Sequence, residues 1–162
     1  MPKTLLVFSD THRQIEAPLA AIFNTPHVDR LVHLGDLVAD AEELARLSNR
    51  TILMVRGNND WMDMDVPPTQ ILELAGHRIY LTHGHREGVY HRLDQLAHIC
   101  QAEACDIALF GHTHCFTDEK IAGVRLINPG AISWPRGGDG RRSYLRLTFQ
   151  DNGQVDLDRI LL

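Results

Sequence analysis

The sequence predicts an α/β protein made of two β-sheets packed face to face, with helices on the outside. Three observations carry the prediction. The first third alternates apolar runs of strand length with amphipathic helical segments. The remainder contains short alternating segments divided by turn residues, the pattern of antiparallel hairpins. Metal-type side chains recur directly after apolar runs, and in an open α/β sheet the ends of the strands share one crevice.

Taken in order, Thr4–Ser9 (TLLVFS) is a continuous apolar run suited to a buried strand. Ile15, Leu19, Ile22 and Phe23 then fall on one helical face. Pro18 requires that helix to begin close by, because proline is tolerated only in a first turn. Arg30–Leu34 is the second strand. Asp40–Ser48 is a short helix whose acidic start suits the helix dipole. Thr51–Arg56 is the third strand. Right-handed crossovers turn this β-α-β-α-β run into a parallel sheet covered by helices.

Beyond it, QILELAGHRIYLTH reads as two strands about a turn at Gly76. The apolar stripe of Val89, Leu93, Leu96, Ala97 and Cys100 predicts a helix over Val89–Ala104. Asp106–Phe110 is another buried strand. Asp118–Ile121, Val124–Ile127, Ser143–Phe149 and Val155–Ile160 follow as hairpin strands. With no repeat, linker or low-complexity segment, a single domain over residues 1–162 is expected.

Composition excludes some classes of function. The formal net charge of −5 argues against a broad basic face for nucleic acid. No apolar stretch approaches the ~20 residues of a membrane helix. The opening MPKTLLVFSDTH lacks a small-residue cleavage site and reads as a strand rather than a signal peptide. Cys100, Cys105 and Cys115 are odd in number and show no C-x-x-C spacing, which fits a reduced, cytoplasmic setting.

The unusual feature is the histidines. Of ten, five fall in three short stretches, DTH, THGH and GHTH. Asp10 and His12 follow the first strand, Asp36 the second, and Asn58, Asn59 and Asp60 the third. His83 and His85 follow RIYL, and His112 and His114 follow DIALF. Carboxylate, imidazole and amide donors together suit Mn, Fe, Zn, Ni or Co and not a thiolate zinc site. An aspartate such as Asp36 has two oxygens with which to bridge two ions. Singly, each motif is weak: Gly35-Asp36 and Gly57-Asn58 are ordinary turn dipeptides. Five motifs, each after an apolar run, make a joint pattern that turn chemistry does not explain.

SDTH, HLGD, RGNND, THGH and FGHTH, in this order, resemble the calcineurin-like metallophosphoesterase superfamily, and within it a small bacterial and archaeal phosphodiesterase branch. INPGAISWPRGG extends the resemblance almost to the end of the chain. It implies a four-layer α/β/β/α sandwich of two mixed sheets flanked by helices. It implies two divalent metal ions per chain, manganese first, with nickel, cobalt, zinc or iron as alternatives. Asp10, His12, Asp36 and His114 would hold one ion. Asp36, Asn58, His83 and His112 would hold the other, with Asp36 bridging.

The implied activity is hydrolysis of a small phosphate diester by a hydroxide bridging the metals. Phosphomonoesterase activity, or a non-catalytic binding scaffold on the same fold, are the alternatives. The implied partner is a small-molecule ester, with no membrane or nucleic acid and with room for a homo-oligomer.

One position departs from the superfamily pattern. Where many members carry a histidine that resembles a general acid, this chain has Asn59, which has no proton to give. Activity is expected to depend weakly on Asn59. His85 is then a candidate acid or a supporting group, or the enzyme favours acidic leaving groups. Asp60 reads either as a turn residue or as one that orients a ligand. Arg13 and Arg136 are candidate substrate contacts, Arg13 equally a solvated loop residue. His33 is either a supporting group or an ordinary strand histidine. His27, His77, His91 and His98 read as surface residues.

Overall fold

Strand β1 (Lys3–Phe8), helix α1 (Glu16–Asn24), strand β2 (Arg30–His33), helix α2 (Val38–Ser48) and strand β3 (Leu53–Met54) form the first β-α-β-α-β unit of the computed structural model, which describes residues 1–162. β1 pairs in parallel with β2, and β2 with β3. Pro18 lies in the first turn of α1, where its missing N–H removes no helical bond.

The rest of the chain supplies β4 (Thr69–Leu74), β5 (His77–Thr82), a 3₁₀ turn (His85–Glu87) and α3 (Asp94–Ala102). Then come β6 (Ile107–Leu109), β7 (Phe116–Ile121), β8 (Val124–Pro129), β9 (Ser143–Phe149) and β10 (Val155–Leu161). One sheet has the order β10-β9-β1-β2-β3 and the other β4-β5-β6-β8-β7. Both are mixed. The hairpins separate: β9–β10 closes on β1 in the first sheet, whereas β8 of the β7–β8 hairpin lies parallel to β6 in the second.

Side-chain alternation along the strands produces the layers. Leu5 and Val7 of β1 enter a cluster with Leu72, Ile79, Leu81, Leu109 and Leu147 between the sheets. Leu6 and Phe8, one residue out of phase, pack under α1 and α2 with Ile22 and Leu44. Tyr80, Ala108 and Leu126 cover the outer face of the second sheet under Leu96, Ala97 and Cys100 of α3. Three apolar interfaces between four layers are the expected α/β/β/α sandwich.

The helix expected from Val89 starts only at Asp94. Gly88 takes a left-handed φ of 66°, and the N–H groups of His91 and Arg92 both return to its carbonyl, so a separate turn occupies Val89–Arg92 before the helix begins. Val89 still reaches the cluster beneath α3, and Leu93 packs against it. Strand three is only two residues long, although Val55 N–H still donates to the His33 carbonyl at 3.2 Å. No helix is long and apolar enough to cross a membrane. The three cysteines are free, and burial pushes the Cys100 thiol up to about 12.

Candidate metal centre

The loops after β1, β2, β3, β5 and β6 meet at one end of the two sheets. They get there through backbone that side chains rarely adopt: φ is positive at Asp10 (55°), His12 (41°), Asp36 (49°), His112 (70°) and His114 (59°). Such strain persists only where surrounding structure over-determines it, and it gathers at functional sites. Asp and His are among the residues that tolerate it best.

Two groups of potential ligand atoms result, Asp10–His12–His114 and Asp10–Asp36–His83, each with its atoms within 4.8 Å of one another. Asp10 Oδ1 lies 3.2 Å from His114 Nε2 and 3.9 Å from both His12 Nε2 and His83 Nε2. Asp36 Oδ2 lies 3.9 Å from His12 Nε2 and 3.6 Å from His83 Nε2. Asp10 belongs to both groups and Asp36 to the second, with Asp36 Oδ2 also near His12 of the first. Asn58 Oδ1 sits 3.1 Å from His83 Nε2. His112 stands edge-on to His83, 5.2 Å between ring centroids, outside the two close groups.

The donor set fits cations. Asp10 Oδ1 and His12 Nε2 are buried without a hydrogen-bond partner, an arrangement a protein avoids unless something else satisfies them. His83 Nδ1 lies 2.6 Å from the Leu34 carbonyl and His114 Nδ1 2.8 Å from the Trp134 carbonyl. A ring nitrogen facing a carbonyl must donate, so each Nδ1 carries the proton. With Nδ1 carrying the proton, a neutral ring would present an Nε2 lone pair to acceptor oxygens. A divalent ion between lone pairs resolves that conflict.

Protonation agrees with this, apart from His114. Burial pulls His12, His85 and His112 below the usual imidazole range, His112 to about 4. Burial opposes ionisation of Asp10, but His114, His83 and Ser9 outweigh it and hold the carboxyl down at about 2. Neutral imidazole and ionised carboxylate are the ligand forms. For His114, burial is outweighed by Asp10 and the ring is raised, so there a proton competes with a metal.

Other residues hold these groups in place. Asp60 is buried and its two oxygens accept from Asp36 N–H (2.9 Å), Gly57 N–H (2.8 Å) and Val38 N–H (2.8 Å). It thus joins the loop after β3 to the loop after β2 and caps α2 from outside that helix. His33 is supportive too. Gly35 N–H donates to its Nδ1 at 3.1 Å, its Nε2–H donates to Thr11 Oγ1 at 3.0 Å, and the Thr11 hydroxyl donates to Asp40 Oδ2 at 2.6 Å. Asp40, read from sequence as a dipole residue, spends its carboxylate on Thr11 and Arg13 N–H instead. Asn128 braces the GHTH loop through the Gly111 carbonyl and Thr113.

Gly57 has no positive φ. It is glycine because a Cβ there would stand 2.1 Å from Asp36 Oδ1.

A small cavity of about 160 Å³ opens beside these groups, lined by His12, Asp36, Asn58, His112 and His114. Asn59, Trp134 and Arg136 complete its wall. Arg136 also donates to the Tyr90 hydroxyl. His85 lies 5.5 Å from His83 and 6.0 Å from His112 by ring centroids, with a buried, unpartnered Nδ1. Arg13 lies on the far side of His12, in a neighbouring cavity. His27, His91 and His98 are exposed as expected. His77 is instead held between Asp106 and the Gly153 carbonyl. Thr11, Asp40, Asn128 and Trp134 escaped sequence reasoning as site residues; the only signal was that each lies in or near a quoted motif.

Residues 4–152 match the family model for the calcineurin-like phosphoesterase superfamily domain, and the chain belongs to that family. A probable metallophosphoesterase of Methanothermobacter thermautotrophicus is 32% identical, over 95% of this chain and 90% of that protein. The phosphodiesterase YfcE of Escherichia coli is 30% identical, over 83% of this chain and 82% of its own. Among solved structures, a conserved predicted phosphoesterase from Streptococcus pneumoniae superposes with a TM-score of 0.78 at 25% identity, covering 100% of this chain and 99% of that one. Zinc-complexed Vps29 from Entamoeba histolytica superposes at 0.77 with 22% identity, covering 98% of each, and shares the fold. Family membership implies divalent metal ions.

Proposed function

We propose that this chain is a two-metal phosphodiesterase acting on small phosphate diesters. The observation that carries the reading is the convergence of Asp10, His12, Asp36, His83 and His114 with orphaned donor atoms at their centre. Asp10, His12 and His114 would hold one ion, and Asp36, Asn58, His83 and His112 the other, with Asp10 and Asp36 between them. Manganese is the first choice. Divalent ions there would supply Lewis-acid activation of water and neutralise charge on the phosphoryl group.

The chain's own residues do the rest. The Nδ1–H bonds of His83 and His114 fix which ring nitrogen faces inward. Asp60 and the His33–Thr11–Asp40 chain keep the carboxylate loops in register. Arg136, which lines the cavity, would donate to anionic phosphoryl oxygens. Asn59 cannot protonate a leaving oxygen; His85 is the candidate proton donor, and because burial lowers its pKa it would have to take up a proton beside the anionic substrate to serve.

The diester preference is supported by the phosphodiesterase relative. The test is a panel of Mn, Ni, Co, Zn and Mg against aryl monoesters and diesters. Diester turnover that vanishes with chelator and returns with manganese is expected. Asp36→Asn should abolish it, and retained turnover would break the two-metal assignment. Faster monoester turnover would favour a phosphomonoesterase. A metal-replete protein inert on every ester would favour a binding scaffold.

A further inference from the structure

We propose that the cavity formed by Trp134, Leu37, Arg13 and Asn59 is a subsite for the nucleobase of a small nucleotide diester. The inference rests on the phosphoesterase reading, since it places the phosphoryl group in the neighbouring metal-lined cavity.

The two cavities share walls. His12, Asn59 and Trp134 line both, so one molecule can occupy the two together. Their sizes differ: about 160 Å³ beside the ligand groups, about 460 Å³ on the far side of His12. The smaller suits a phosphoryl group. The larger falls within the roughly 300–1,000 Å³ typical of organic ligand sites.

The larger cavity has an aromatic face and a polar edge. Trp134 stacks on His12 with 4.7 Å between centroids and 29° between planes, which fixes the indole next to a candidate metal ligand. It nevertheless remains 60% exposed, and Leu37 supplies a second apolar wall. A fixed, uncovered indole is a platform for a flat ring, and such stacking tolerates any base.

The polar edge is specific in type. The Arg13 guanidinium forms no ion pair or hydrogen bond within the chain; only its backbone N–H is engaged, by Asp40. The Asn59 carboxamide nitrogen is engaged by Asp36, which leaves its oxygen as an acceptor. A guanidinium and a carboxamide oxygen together match a ring edge that offers both acceptors and N–H donors. A nucleobase has both the face and the edge, a plain aryl group has only the face, a sugar has hydroxyls but no flat π face, and an alkyl group has neither. The acidic balance of the chain favours a free nucleotide diester over a polyanionic strand.

The test compares probes that differ only in the base. With manganese-loaded protein, adenosine 5′-monophosphate should bind about tenfold tighter than ribose 5-phosphate by calorimetry. That ratio should collapse towards one in Trp134→Ala and return in Trp134→Phe, which restores a ring. Arg13→Ala should reduce the ratio while leaving ribose 5-phosphate affinity less affected. In turnover, thymidine 5′-(4-nitrophenyl) phosphate and methyl 4-nitrophenyl phosphate share a leaving group. Trp134→Ala should cost about tenfold more kcat/KM on the thymidine ester. Equal binding of the two monophosphates, or equal losses on the two esters, would overturn the subsite and leave metal-dependent hydrolysis intact. If no ester is turned over, the phosphoesterase reading fails, and the calorimetric ratio still decides the subsite.

Discussion

Asn59 holds both oxygens of Asp36: its backbone N–H donates to Oδ1 at 3.1 Å and its carboxamide N–H donates to Oδ2 at 2.5 Å. A residue without a transferable proton thus acts by positioning a candidate ligand. The weak dependence expected from sequence took no account of this contact. Residues that orient metal ligands commonly affect metal affinity by about 10–100-fold. Asn59→Ala is therefore expected to weaken manganese binding by at least about tenfold, read by titration of the metal-free protein. Unchanged affinity would remove Asn59 from the site's framework. Asn59→His should raise turnover of poor-leaving-group esters more than that of aryl esters, and equal effects would count against a missing acid.

Asp60 should matter more to folding than any exposed site residue. Asp60→Ala strips partners from three backbone N–H groups, at Asp36, Gly57 and Val38. Leaving buried donors unsatisfied costs about 1–3 kcal/mol each before relaxation, so a loss on the order of 3 kcal/mol is expected in urea unfolding. Asp60→Asn, which keeps an acceptor oxygen, should lose less. Equal stability of the alanine variant and the native chain would contradict this role.

Gly57→Ala separates the site from the fold. The added Cβ would stand 2.1 Å from Asp36 Oδ1, on a loop that need shift only locally. Manganese affinity should fall at least tenfold, while stability falls by about 1–3 kcal/mol, as for other small-to-large changes in tight packing. Native-like metal binding in this variant would show that Asp36 has freedom the structure denies it.

Acid should destabilise the metal-free protein before the carboxylates titrate. Burial depresses the His33 pKa from 6.5 to about 4. The unfolded chain therefore binds the extra proton between these values. Stability is greatest above about pH 6.5 and falls as pH drops towards 4, by up to about 3 kcal/mol from this residue. His12, His85 and His112 are shifted in the same direction and add to the slope, whereas His114, raised beside Asp10, opposes it. Urea unfolding of chelator-treated protein at pH 7 and pH 5 should show the loss, and His33→Gln should reduce it. A slope unchanged by that substitution would mean His33 does not titrate as its burial requires.

The sequence by itself determined the kinds of candidate ligand, their order and their location at strand ends. Those features are local. Apolar runs such as TLLVF set strands, and the residues that follow each run must emerge at its end. The β-α-β-α-β opening was legible for the same reason, because period and turn chemistry act within a few residues. Helix α3 was misread at its start because Val89 satisfies the helical stripe, while a turn closed on the Gly88 carbonyl by His91 and Arg92 takes up the chain before Asp94.

Only the tertiary structure decided which sheet received each hairpin, that Asp10 faces both ligand groups, and what Asn59, Asp60 and Trp134 touch. Those contacts join residues far apart in the chain. The His112 N–H reaches Asp10 across 102 positions, and the Ser133 hydroxyl reaches the Asp10 carbonyl across 123. No local propensity encodes such pairs. They exist because two sheets share an apolar interface, and burying that interface brings five loops to one end at a separation set by packing.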